Sequence, residues 1–126
     1  GVHYLAERAT EAYEAARTQV ARYVNAASDQ EIIFTSGTTG ALNLVAHAFG
    51  ATLSPGDEIV ISMLEHHSNF VPWQLLRDRL GIVLKALPAT EDGRVNVSAL
   101  AETVTKRSSQ PLLLGNFVVV RYKETT

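Results

Sequence analysis

The first part of the chain has apolar side chains at steps of three and four residues, with charged side chains between them. This period predicts an amphipathic helix over residues 3–25 whose apolar face covers a sheet. Further helices are predicted at residues 41–49, 71–80 and 98–104. The third of these four helices has a proline near its first turn and stops before a glycine, which is typical of helix ends.

Apolar and β-branched runs between these helices predict strands at residues 32–35, 58–62 and 82–87. Such runs suit strands that are covered on both faces. Two more strands are predicted near the end of the chain, at residues 112–114 and 117–120. Because strands and helices alternate, the pattern predicts an α/β fold with a mainly parallel sheet and helices on its faces.

A turn rich in glycine and threonine connects the first predicted strand to the second helix. Gly37 permits a tight turn, and Thr38 and Thr39 place hydroxyls where the helix begins. The first N–H groups of a helix lack partners within it, and the helix dipole attracts anions to that end. The stretch therefore fits a phosphate site, and it fits equally well an ordinary turn with a Ser or Thr cap.

A second polar loop follows the strand at residues 58–62 and contains Glu65, His66 and His67. Three consecutive residues do not have metal-ligand spacing, so no metal site is predicted. A pair of histidines is more often part of a plain polar loop than of a site. Ser68 or Asn69 is expected to cap the helix that follows. Both loops follow predicted strands at their carboxyl ends, where α/β sheets bind ligands.

Composition narrows the classes of function. Eleven Lys and Arg are scattered, and the formal net charge is -2, which argues against a nucleic-acid partner. The sequence has no cysteine, so it has neither disulfides nor a catalytic thiol. No apolar run approaches the ~20 residues of a membrane span, and no signal peptide is visible, so we expect a cytoplasmic location. Because the chain begins at Gly1, we expect an excerpt or a processed product.

Several blocks occur in an order that resembles a known family. The sequence resembles the fold-type I, pyridoxal-phosphate-dependent class V aminotransferase family, and within it the Suf-type cysteine desulfurase/selenocysteine lyase branch. The resemblance covers residues 1 to about 107, as a fragment of the large domain. The matching blocks are Ala6-Glu7-Arg8-Ala9-Thr10, Phe34-Thr35-Ser36-Gly37-Thr38-Thr39, Asn43-Leu44-Val45-Ala46, Pro55-Gly56-Asp57-Glu58 and Glu65-His66-His67-Ser68-Asn69-Phe70-Val71-Pro72-Trp73-Gln74.

The resemblance implies a partial three-layer α/β/α fold and pyridoxal 5'-phosphate as cofactor. Thr38 and Thr39 match the turn that holds the cofactor phosphate. His66 matches the histidine that stacks on the pyridine ring and helps proton transfer, so it is the catalytic and cofactor-binding candidate. Asn43 matches a position where we expect packing or hydrogen bonding. The family's cysteine desulfurases are homodimers that convert L-cysteine to L-alanine and pass the sulfur to an enzyme thiol.

The sequence departs from the family pattern mainly at residues on which the family's catalysis depends. Gly40 stands where the family usually has Glu. None of Lys85, Lys106 and Lys123 lies in the context of the Schiff-base lysine, and the cysteine that carries sulfur is absent. Residues 1–107 are interpreted as a partial cofactor-binding large domain and residues 108–126 as a divergent tail. We predict that this chain alone is inactive.

Two other classes of function compete with this interpretation. The Thr35–Gly40 stretch also resembles the phosphate loop of adenylate-forming enzymes, which bind ATP, although Ala41-Leu42-Asn43 replaces the usual Pro-Lys-Gly. The Glu65–Gln74 block has no place in that family. The remaining alternative is a non-enzymatic fragment, or a dimerisation and binding module.

Overall fold

The computed structural model describes residues 1–103, 111–114 and 118–121. The chain divides into two compact units, Gly1–Ser36 and Gly37–Thr126. The helices are α1 (Val2–Tyr23), α2 (Thr38–Gly50), α3 (Val71–Leu80) and α4 (Leu100–Thr103). The strands are β1 (Glu58–Ser62), β2 (Val83–Leu87), β3 (Pro111–Leu114) and β4 (Val118–Arg121). The described ranges also contain 3₁₀ turns at Asp29–Glu31, His67–Asn69 and Val97–Ala99. None of their helices is both long and apolar enough to cross a membrane.

The first unit consists mainly of α1, which confirms the first predicted helix. The Thr18 hydroxyl donates a hydrogen bond to the Asp29 carboxylate over 3.2 Å, which connects α1 to the 3₁₀ turn that follows. The rings of Tyr13 and Phe34 meet edge to face with their centroids 5.3 Å apart. This geometry is a favoured arrangement for aromatic pairs.

The strand predicted at residues 32–35 is wrong. Ile32 has extended backbone angles, with φ at -101° and ψ at 121°, but the segment belongs to no strand. Ile33 is 69% exposed rather than buried. A β-branched sequence favours extended backbone, whereas a strand also needs a neighbour to complete its hydrogen bonds. The four-stranded sheet of the described residues does not include this segment.

The second unit is built on a sheet with the strand order β2-β1-β4-β3. β1 and β2 are parallel, with Ile59 opposite Leu84, and α3 forms the crossover between them. This is the βαβ arrangement that parallel neighbours require. β4 pairs antiparallel with β1 and with β3, so the two strands predicted near the end of the chain are confirmed. Phe117, which the prediction included, lies outside the described residues.

Helices cover both faces of the parallel pair, which confirms the α/β prediction. Ile59 and Ile61 are 0% exposed, and they pack in one cluster with Ala46 of α2 and with Trp73 and Leu76 of α3. The opposite face packs against the segment that leads into α4, through a second cluster of Val60 and Leu87 with Val95, Ala99 and Leu100. Burying one large apolar side chain stabilises the fold by about 1.5–3 kcal/mol, so these two clusters dominate its stability.

α2 and α3 approach each other closely at Gly50, the last residue of α2. A Cβ atom at this position would lie 2.5 Å from Cδ1 and 3.2 Å from Cγ of Leu76. Leu76 is itself buried, at 3% exposure. The contact therefore leaves no room for a side chain at Gly50 unless Leu76 moves.

A series of side-chain hydrogen bonds fixes the loop between β1 and α3. The Trp73 indole Nε1–H donates to Oδ1 of Asn69 over 3.2 Å, and Nδ2 of Asn69 donates to Oε2 of Glu65 over 2.7 Å. Trp73 is 1% exposed and Asn69 is 7% exposed. Both ends of the Asn69 amide are therefore satisfied inside the fold, as buried polar groups require. We call this the Glu65–Asn69–Trp73 series.

The expectation that Ser68 or Asn69 caps α3 is wrong. The N-cap of α3 is Phe70, and no side chain caps it. The Asn69 side chain instead serves the Glu65–Asn69–Trp73 series. The other predicted ends of α3 are confirmed, since Pro72 lies in its first turn and Gly81 ends it in the left-handed conformation, with φ at 70°.

We expect Asn69→Ala to lower the free energy of unfolding by about 1–3 kcal/mol, because it leaves the buried indole N–H without an acceptor. Trp73 is the single tryptophan of the sequence, so its fluorescence during urea unfolding measures the change directly. Gln74→Ala is the control, because Gln74 is half-buried and lies on the same helix as Trp73. This substitution should lower the free energy of unfolding by less than about 0.5 kcal/mol. An Asn69→Ala midpoint equal to that of the parent chain would contradict a stabilising role for the series.

Candidate functional site

The turn predicted to hold a phosphate lies at the start of α2. Gly37 is the N-cap with φ at 92°, a conformation that glycine adopts without strain, and no side chain caps the helix. The first hydrogen bond of the helix runs from the Ala41 N–H to the Gly37 carbonyl over 3.2 Å. The N–H groups of Thr38, Thr39 and Gly40 precede that bond, so the helix itself offers them no acceptor.

The surroundings of this turn are open. Thr38 and Thr39 are exposed, and a Cβ atom built at Gly37 or at Gly40 meets no atom within 4 Å. Asn43 donates from Nδ2 to the Thr39 carbonyl over 2.9 Å, which is the hydrogen bonding that the resemblance implied for this residue. Exposed N–H groups at an uncapped helix start, next to two hydroxyls, fit an oxyanion.

His66 lies in the loop of residues 63–70, which we call the histidine loop. His66 is the N-cap of the 3₁₀ turn His67–Asn69, and it is exposed. Its Nδ1 accepts from the Ser68 backbone N–H over 3.2 Å and lies 3.0 Å from the Ser68 hydroxyl. The adjacent His67 ring is 6.0 Å away, centroid to centroid, at an interplanar angle of 83°. The two rings therefore point in different directions.

The helix start and the histidine loop lie at the same end of the α/β layer. A short connection, residues 51–57, joins α2 to β1. α2 packs on the face of β1 that carries Ile59 and Ile61. It must therefore run back along β1 in the opposite direction. A 13-residue helix is about 20 Å long and a five-residue strand about 17 Å, so the start of α2 reaches the carboxyl end of β1. α2 also contacts the turn His67–Asn69.

The predicted site residues Thr38, Thr39 and His66 are exposed. A groove of about 350 Å³ runs between α2 and α3, but its lining includes neither Thr38 and Thr39 nor His66. Asn43, which lies next to the turn that contains Thr38 and Thr39, is one of the residues that line the groove. We call this turn the threonine turn. Thr38, Thr39 and His66 thus share one end of the layer and are exposed, with Nδ1 of His66 turned toward Ser68.

The Lys85 side chain makes hydrogen bonds within the fold. Its Nζ donates to Oε1 of Glu58 over 2.9 Å and to the Thr103 carbonyl over 3.0 Å. It lies on the face of the sheet that packs against α4, opposite Val60 in the register of β1 and β2. The Lys85 ammonium group thus joins β2 to β1 and to α4. Lys106 and Lys123 lie outside the described residues.

The sequence interpretation missed the structural roles of two residues, Asn69 of the histidine loop and Trp73 of α3. The available signal was their spacing, because Glu65, Asn69 and Trp73 recur every four residues. That spacing is the one at which side chains meet along a helix. Among the described residues, no group of three His, Cys, Asp or Glu side chains could hold a metal ion.

Comparisons with known proteins point to one family. Residues 1–110 match the family described as aminotransferase class-V. The boundary predicted at residue 107 stays a prediction.

Curated relatives are similar over most of the chain. The cysteine desulfurase of Pectobacterium carotovorum subsp. carotovorum (strain PC1) is 47% identical over 109 residues, which is 86% of this chain and 27% of the relative. A protein named "Probable cysteine desulfurase" from Staphylococcus aureus (strain N315) is 48% identical over the same length, covering 26% of that relative. The chain thus spans about a quarter of the length of these relatives.

Solved structures agree with the sequence comparison. The cysteine desulfurase CsdA of Escherichia coli superposes with a TM-score of 0.70 at 42% identity, over 79% of this chain and 25% of that one. The apo cysteine desulfurase of Thermococcus onnurineus NA1 gives a TM-score of 0.71 at 36% identity, over 82% of this chain and 26% of that one. With the family match covering more than half of its length, the chain belongs to the aminotransferase class-V family, of which it represents part of the large domain.

Proposed function

We propose that this chain forms the phosphate-binding and ring-facing part of a pyridoxal-phosphate site of the cysteine desulfurase type. The observation that carries the proposal is the uncapped first turn of α2, open to the outside and at the same end of the layer as His66. The similarity to named cysteine desulfurases supports the choice of reaction and of a cysteine-class substrate. Homodimer assembly and a cytoplasmic location belong to the same proposal.

The residues of the turn suit the proposed ligand. The N–H groups of Thr38, Thr39 and Gly40 and the two threonine hydroxyls would hold the phosphate group, and the helix dipole would add to the attraction. His66 orients the ring and holds a proton on its imidazole. Bound pyridoxal phosphate supplies an electron sink for cleavage of bonds in an amino-acid substrate. The missing thiol and cofactor lysine would have to come from outside the sequence printed here.

We expect pyridoxine 5'-phosphate to shift the backbone amide resonances of residues 38–40, and pyridoxine without the phosphate to leave them in place. Both probes lack the aldehyde, so reaction with lysines does not confuse the result. Because a hydrogen bond to a charged group is worth about 1.5–3 kcal/mol, Thr39→Val should weaken binding about tenfold or more. The measurement is a titration followed by ¹H–¹⁵N correlation spectra.

Thr52→Val is the matched control, since its hydroxyl bonds the Phe49 carbonyl at the other end of α2 and its loss should leave affinity unchanged. Equal binding of pyridoxine and its phosphate would contradict the proposal. Shifts produced by ATP alone would favour the adenylate-forming alternative instead.

We expect the pure chain, supplied with pyridoxal phosphate and L-cysteine, to release no alanine above the protein-free control. The chain has no cysteine to accept sulfur, and Lys85 is engaged by Glu58 and Thr103. The measurement is alanine quantified by mass spectrometry, with the His66→Ala chain as a second control. Alanine release that rises with protein concentration and falls in His66→Ala would refute the prediction of inactivity.

A further inference from the structure

The hydrogen bonds of the His66 ring define which of its nitrogens carries the proton. The Ser68 backbone N–H, 3.2 Å from Nδ1, can only donate. Nδ1 must therefore present its lone pair to this donor, and the neutral ring must carry its proton on Nε2. The Ser68 hydroxyl, 3.0 Å from the same Nδ1, adds a second donor on that side. Ser68 thus supplies both hydrogen-bonding contacts on the Nδ1 side of the imidazole.

Ser68 is held in place by bonds that do not involve the His66 ring. The Asn69 N–H donates to the His66 carbonyl over 2.8 Å, and the Phe70 N–H donates to the His67 carbonyl over 3.0 Å. The Asn69 side chain is fixed in addition by the buried Glu65–Asn69–Trp73 series. The direction of the Ser68 N–H is therefore set by the fold before any ligand arrives.

We propose that Ser68 is a positioning residue that locks His66 in a single ring orientation as the Nε2–H tautomer. Resting on the proposed function, this assigns the ligand group opposite Nε2 as a hydrogen-bond acceptor, such as an anionic oxygen or a thiolate of the substrate. The Ser68 hydroxyl can reverse its role, since it donates to Nδ1 of the neutral ring and accepts from the Nδ1–H of the protonated ring. Protonation of Nδ1 would, however, set its N–H against the Ser68 backbone N–H, so the single orientation belongs to the neutral ring.

The test uses the ligand-free chain with ¹⁵N-labelled histidine at about pH 8.5, where an ordinary imidazole is neutral. We expect the two His66 nitrogens to show the separate ¹⁵N shifts of a pure Nε2–H tautomer, with Hα–Hβ couplings of one rotamer. Ser68→Ala keeps the backbone N–H and should therefore keep the two separate shifts, but it loses the hydroxyl contact and should average the Hα–Hβ couplings. Ser68→Thr, which restores a hydroxyl, should again show the couplings of one rotamer. A purely structural effect would not be reversed by the threonine.

Ser98→Ala is the matched control, because Ser98 is the middle residue of the turn Val97–Ala99 as Ser68 is of His67–Asn69. It should leave the His66 resonances unchanged, and His67 serves as an internal reference in every variant. An Nδ1–H tautomer in the parent chain, or His66 Hα–Hβ couplings that do not change in Ser68→Ala, would overturn the proposal.

The result is independent of whether the cofactor binds. If the Nε2–H tautomer is found, with a ring rotamer that depends on the Ser68 hydroxyl, but pyridoxine 5'-phosphate leaves the resonances of residues 38–40 unmoved, the positioning role stands and the proposed function fails. If the phosphate probe binds while His66 shows mixed tautomers in the parent chain, the proposed function stands and the positioning role fails.

Discussion

The burial of β1 on both of its faces is the constraint on which the rest of the second unit depends. Ile59 and Ile61 are inaccessible on one face, and Val60 is 2% exposed on the other. A strand of this kind is stable only where helices exclude water from both sides. α2 and α3 cover the first face and the segment leading into α4 covers the second. The connections to β1 then bring the start of α2 and the histidine loop to one end.

Elements governed by local signals were predictable from the sequence. The bounds of α3 follow from Pro72 in the first turn and Gly81 after the last. Proline fixes φ at a value that suits the start of a helix, and glycine adopts the left-handed conformation that ends one without strain. β1 was predictable for a similar reason, since its apolar run is bounded by the turn Ser54-Pro55-Gly56-Asp57 and by the polar histidine loop. The threonine turn at the start of α2 also follows from adjacent residues.

Features that depend on distant neighbours were not predictable in the same way. Residues 32–35 have the composition of a strand, but pairing is decided by another segment of chain, and the sheet of the described residues provides none for it. The prediction that Asn69 caps α3 is wrong because rules for helix caps consider only residues that are neighbours in the sequence. The amide instead joins the Trp73 indole, whose burial is decided by β1 and α2. The motif around His66 thus contains residues that hold the core together, Asn69 and Trp73.

The contact at Gly50 has a consequence for the opposite end of the same helix. Gly50 and Thr38 are twelve residues apart, or about 18 Å along the axis. If a side chain at Gly50 forced α2 to pivot by about 5° against Leu76, Thr38 would swing by roughly 1.5 Å, and displacements of that size are enough to impair reacting groups. The missing side chain at Gly50 therefore sets the alignment of α2 along its whole length, including the turn that contains Thr38 and Thr39.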